Sequence, residues 1–195
     1  MHTIDTYTLH GIALRLVDAI PAGRGEALIL ARWIAARPDI FGPVPDVAPA
    51  GRYRAGVDPL GWQVLRDHLG ARLQGMAEPP DQPLARLATI AAHLGLGPTE
   101  TTILRFLVLQ QRGGAVADFA ATLRREIGVS DEAVIAWCCN LDEVEVWSAL
   151  APQGPLVAPG LVQPDGTSPV MRDEPYALSG LLLALLRPQV WKPPL

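Results

Sequence analysis

Few groups in this chain could ionise, attack or ligate at a useful spacing. Cys138 and Cys139 are its only cysteines, and they are adjacent. Neighbouring cysteines seldom close a structural disulfide, and a zinc site needs further soft ligands nearby. Their neighbours Val134, Ile135, Ala136 and Trp137 carry no charge. An apolar setting disfavours the thiolate that nucleophilic chemistry requires. Both residues therefore read as reduced thiols in a helix core, a common fate of free cysteine. His2, His10, His68 and His93 lie far apart, with no metal-ligand spacing. Even if folding brings His68 and His93 together, both are expected as exposed or hydrogen-bonded helix residues. Gly23-Arg24-Gly25 is too short for a phosphate loop. No Gly-Lys-Ser or Gly-Lys-Thr occurs, because the only lysine is Lys192. No catalytic, cofactor-binding or metal-ligating residue is expected.

The informative pattern is one of charge. Between Arg125 and Arg172 there is no Lys, Arg or His, while Glu126, Asp131, Glu132, Asp142, Glu143, Glu145 and Asp165 are acidic. The same stretch reads as a short enclosed helix, a turn at Asn140-Leu141, a second helix, and two short strands around Pro164-Asp165-Gly166-Thr167. That order is a helix-turn-helix with a wing. Stepping at roughly 100° per residue places Val144, Val146, Trp147 and Leu150 on one arc, expected to be core, so that Trp147 and Trp137 read as packing residues. Asp142, Glu145, Ser148 and Ala149 fall on the opposite side; either this side or the proline-rich stretch 38–57 is expected to touch a partner, the alternative being a solvated face that only keeps the chain soluble. In a DNA reader that side would enter the groove, where Arg, Lys, Asn and Gln do most of the reading. Phosphate neutralisation supplies nearly all non-specific affinity for DNA, and a face with two carboxylates and no cation repels a polyanion.

Several elements must position this stretch. Residues 9–20 and 24–37 read as a helical pair, from Ile12, Leu16 and Ile20 and from Ala27, Leu30, Ala31 and Ile34. Pro38 is expected to end the second helix. Residues 38–57, rich in proline and glycine, read as a linker or surface arm. Asp58-Pro59 opens a helix with a carboxylate cap and an early proline. Further helices are expected near 82–94, 97–111, 115–127 and 176–186. The one near 97–111 is apolar over most of its circumference, the mark of a central element. The expected strands are 161–163 and 169–171, and Asp173-Glu174-Pro175 is expected to cap the last helix. The expected fold is mainly α, a helical bundle with a winged-helix-like subdomain carrying a small β-hairpin wing. The expected divisions are 1–37, 38–57, a domain over 58–187 with its winged part at about 97–187, and a tail at 188–195.

Composition narrows the class further. Hydrophobic residues make up 49% and charged residues 18% of 195 positions, enough for a core and unlike a disordered chain. The net charge of −4 gives no reason to expect an anionic partner. Fifteen arginines to one lysine suggest a GC-rich bacterial genome. The N-terminus has an early acidic residue and no basic region before its apolar run, so it does not read as a secretory signal. The most apolar C-terminal run, 177–186, is about half of what a bilayer requires. With reduced thiols, these features predict a cytoplasmic protein.

The run Leu94-Gly95-Leu96 through Glu100 and Ile103-Leu104-Arg105-Phe106-Leu107 resembles a segment ahead of the ATPase module in a group of bacterial AAA+ ATPases. The run from Leu141 to Pro152, with Gly154-Pro155-Leu156-Val157 and Gly160-Leu161-Val162, is similar to the winged-helix part of that region. The resemblance covers about residues 82–187. It implies a non-catalytic N-terminal module that recognises a substrate or adaptor, or aids assembly, while an ATPase supplies force. These 195 residues hold no nucleotide-binding motif, so the resemblance leads one to expect a domain of a longer protein or a stand-alone relative. No residue here is assigned to ATP. The preferred expectation is thus a protein-interaction module, with no cofactor and no membrane or nucleic-acid partner. A winged-helix DNA-binding regulator is the alternative, and a small enzyme with a scattered site is the third reading.

Overall fold

The computed structural model describes residues 3–44, 56–164 and 176–187. Within them the chain is mainly helical, with one two-stranded antiparallel hairpin. Ten α-helices occur among the described residues. Local signals set most of their starts. Thr3, Asp58, Asp81 and Ser179 each accept a backbone N–H of the first turn, from Thr6, Gly61, Leu84 and Leu182, which satisfies donors a helix start leaves orphaned. Proline sits in the first turn of four helices, where its missing N–H costs nothing.

Two compact units divide the chain. The first comprises Met1–Pro79 and Gly114–Ser130. It contains α1 (Ile4–Ala19), α2 (Gly25–Ala35), α3 (Pro38–Phe41), α4 (Pro59–Gln74) and α7 (Ala115–Thr122), the last running into a π-helical turn at Leu123–Ile127. Helix α1 is its centre and packs on the other four. The Trp62 indole N–H of α4 donates to the carbonyls of Val17 and Ile20, each at 3.1 Å, closing the C-terminal end of α1. Phe41 and Phe119 both lie against Trp33, and the Arg37 guanidinium stacks on Trp33 at 4.2 Å while pairing with Asp118.

The second unit comprises Pro80–Gly113 and Asp131–Leu195. It contains α5 (Gln82–His93), α6 (Pro98–Gln111), α8 (Asp131–Cys139), α9 (Glu143–Leu150), β1 (Val162–Pro164), β2 (Tyr176–Leu178) and α10 (Gly180–Leu186). Helix α6 is its centre, as the apolar circumference predicts: of the eight positions from Ile103 to Gln110, all but Arg105 are buried. It meets α5, α8, α9 and β2. The Gln111 side-chain oxygen accepts from the Leu178 N–H at 3.2 Å, tying the hairpin to this helix.

Several expectations change. Pro38 does not merely end α2; it opens the one-turn helix α3. His68 Nε2 lies 3.0 Å from the Phe41 carbonyl, and the Arg72 guanidinium covers Gly42, whose φ of +72° suits glycine. The first part of the expected arm is therefore packed structure; residues 45–55 lie outside the described residues. The hairpin partner of β1 is 176–178, paired Val162↔Leu178 and Pro164↔Tyr176, whereas the expected strand at 169–171 and the expected cap at 173–175 lie outside the described residues. The last helix starts at Gly180 behind the Ser179 cap, because Tyr176 to Leu178 extend as strand. The expected divisions at 1–37 and 58–187 also differ from the compact units. Both α4 and α7 pack on α1, and a buried stripe does not announce which helix it will meet.

Candidate functional site

Helix α9 and its N-cap, Asp142, carry the four positions singled out in the sequence, and the helix start is locally determined. Asn140, at φ +57°, turns the chain out of α8, and the Leu141 N–H bonds back to the Ala136 carbonyl at 3.0 Å. Asp142 and Glu145 then form a capping box. The Asp142 N–H donates to Glu145 Oε2 at 3.1 Å. This reciprocal pairing satisfies helix-start donors in a helix of only eight residues. Both carboxylates thus have a structural duty besides their exposure.

The inner side of α9 is Val146, Ala149 and Leu150. Burying such aliphatic side chains contributes roughly 1.5–3 kcal/mol each for the larger two. The helix end is sealed by the following loop: the Leu156 N–H donates to the Ala149 carbonyl at 3.2 Å, and Leu156 is fully buried. Gly154 packs so closely that an added Cβ would sit 2.5 Å from the Ser148 carbonyl oxygen. Only glycine allows this approach.

The outer side differs from expectation in two ways. Ala149, expected outward, is 2% exposed. Val144 and Trp147, expected in the core, are 75% and 61% exposed. The helix has apolar residues on two opposed arcs, and only one can face α6 and α8. Val146, Ala149 and Leu150, spaced i, i+3, i+4, make the inward stripe; that spacing was the available signal, with Ala149 counted among its apolar members. Asp142, Glu145 and Ser148 are exposed as expected. The Ser148 hydroxyl donates back to the Val144 carbonyl at 2.8 Å.

Beside this face lies an open depression of about 310 Å³, lined by Thr99, Glu100, Val144, Glu145, Ser148, Ala149 and Pro155. Thr99 and Glu100 come from the first turn of α6, which Pro98 opens. None of the lining residues is cationic. The result is an exposed valine–tryptophan pair bordered by carboxylates.

The other chemical candidates are dispersed. Cys138 is buried and Cys139 half-buried, with no disulfide between them; Cys139 Sγ points to the Thr102 carbonyl at 3.8 Å. His10 is buried against the Phe41 ring with Nδ1 2.8 Å from the Thr6 carbonyl. His93 is exposed with Nδ1 2.8 Å from the Thr89 carbonyl. His2 lies outside the described residues. Arg24 of Gly23-Arg24-Gly25 is the N-cap position of α2, and Gly23 lies against Gly56 rather than framing an anion cradle. Arg124 and Arg125 fall in the π-helical turn. Among the described residues no three His, Cys, Asp or Glu side chains converge as a metal site, and no helix is long and apolar enough to cross a membrane.

Comparison with known proteins finds no match, whether to a family model, a curated protein or a solved structure.

Proposed function

We propose that this chain is a non-catalytic protein-interaction module, in which α8, α9 and the hairpin act as a winged-helix-like unit and the outer face of α9 docks a polypeptide. The observation that carries the reading is the exposure of Val144 and Trp147 on a short, cation-free helix. A solvent-facing tryptophan beside an aliphatic residue is the type of anchor that dominates binding energy at protein interfaces. The carboxylates around it oppose the phosphate backbone of nucleic acid. The resemblance of residues 94–107 and 141–162 to the region ahead of the ATPase in bacterial AAA+ proteins supports a role in substrate or adaptor recognition, or in assembly, for such an ATPase. Two cysteines without a disulfide support a cytoplasmic setting.

Affinity capture with the wild-type chain and with a Val144→Ser/Trp147→Ser variant tests the docking face. The variant keeps its thermal unfolding midpoint, because both side chains already face water, and retains at least about tenfold less of the partner polypeptide. Identification of that partner as an AAA+ ATPase, its substrate or its adaptor tests the family part. Undiminished capture by the variant would reject this face.

A further inference from the structure

The α9 face also carries information about the chemistry of its occupant, an inference that rests on the docking reading above. Its exposed apolar pair calls for a large apolar side chain from the partner. The neighbouring depression selects charge. Its polar lining is Glu100, Glu145, Thr99 and Ser148, over Val144, Ala149 and Pro155. Glu145 has one oxygen engaged by the Asp142 N–H, and a carboxylate can accept several further hydrogen bonds. Ser148 has its proton committed to the Val144 carbonyl, leaving its oxygen as an acceptor. The depression thus presents mainly acceptors and negative charge, bordered by Val144. The complement is a donor-only cation on an apolar stem, an arginine or a lysine.

We infer that the occupant is an amphipathic polypeptide segment whose large apolar side chain covers Val144 and Trp147 and whose arginine or lysine enters the depression between Glu100 and Glu145. The apolar anchor supplies affinity, and the cation supplies orientation and discrimination against acidic segments.

The test uses labelled alanine-based helical peptides of about 15 residues, carrying a leucine and, four positions on, arginine, glutamine or glutamate. Binding is read by fluorescence anisotropy against the full chain. The arginine peptide binds about fivefold tighter than the glutamine peptide, with the glutamate peptide weakest, and added salt narrows the gap. A Glu100→Gln/Glu145→Gln variant erases the preference while keeping the fold, since glutamine still completes the capping box. Equal binding of the three peptides, a preference that survives in the variant, or no binding at all overturns the inference. Binding that ignores charge but is lost in Val144→Ser/Trp147→Ser rejects the cation pocket and leaves the docking face standing. Binding that is indifferent to Val144 and Trp147 rejects the docking face itself.

Discussion

Asp81 shows how much one side chain can carry in a unit of this size. Its carboxylate caps α5 through the Leu84 N–H at 2.9 Å and accepts both arms of the Arg112 guanidinium at 2.8 Å. The Arg112 hydrogen bonds hold the Asp81 carboxyl below the ordinary aspartate range; burial works against them, and the Leu84 N–H and the charges of Arg112 and Arg105 assist. A depressed folded-state pKa stabilises at pH above the unfolded value of about 3.9, and that stability is lost as pH falls through the folded value. Asp81→Asn should therefore cost about 1–2 kcal/mol at neutral pH. In urea melts at successively lower pH, the gap between wild type and variant closes below about pH 4. A gap independent of pH would mean that the charge contributes nothing.

At the scale of the element, α9 is short enough that its cap decides whether it forms. Eight residues nucleate poorly by themselves, so the Asp142–Glu145 capping box and the burial of Val146 and Leu150 must act together. Asp142→Ala removes the cap and should destabilise the chain by about 1 kcal/mol, with lower far-ultraviolet helicity at elevated temperature. Glu145→Gln should be close to neutral by the same measurements. Equal destabilisation by the two would show that charge, rather than hydrogen bonding, holds the helix start. This division of labour shapes the choice of variants at the docking face: reversing Asp142 to lysine would confound loss of binding with loss of the helix, whereas glutamine at 100 and 145 separates them.

At the scale of the whole molecule, the second unit organises around α6 and the first around α1, and the chain passes between the units more than once. Gly113 and Gly114, at φ +75° and +81°, carry the chain out of α6 in conformations that favour glycine. The net charge of −4 and the cation-free face of α9 give an electrostatic prediction. A labelled DNA duplex titrated at low salt should show no tight, steeply salt-dependent binding. Such binding would favour the DNA-binding regulator over the interaction module.

The helical class, the central place of α6, most helix starts and the small hairpin were legible from the sequence, because caps, early prolines and apolar spacing are local signals. The acidic character of α9 was equally legible, since charge needs no fold to be counted. The tertiary structure decided what depends on distant neighbours: which apolar arc of α9 turns inward, that β1 pairs with 176–178, that α3 is held by His68 and Arg72, and that α4 and α7 both pack on α1. Val144 and Trp147 illustrate the reason. Hydrophobicity states what a side chain would gain by burial, but only the surrounding helices determine which of two apolar faces finds a partner within the same chain.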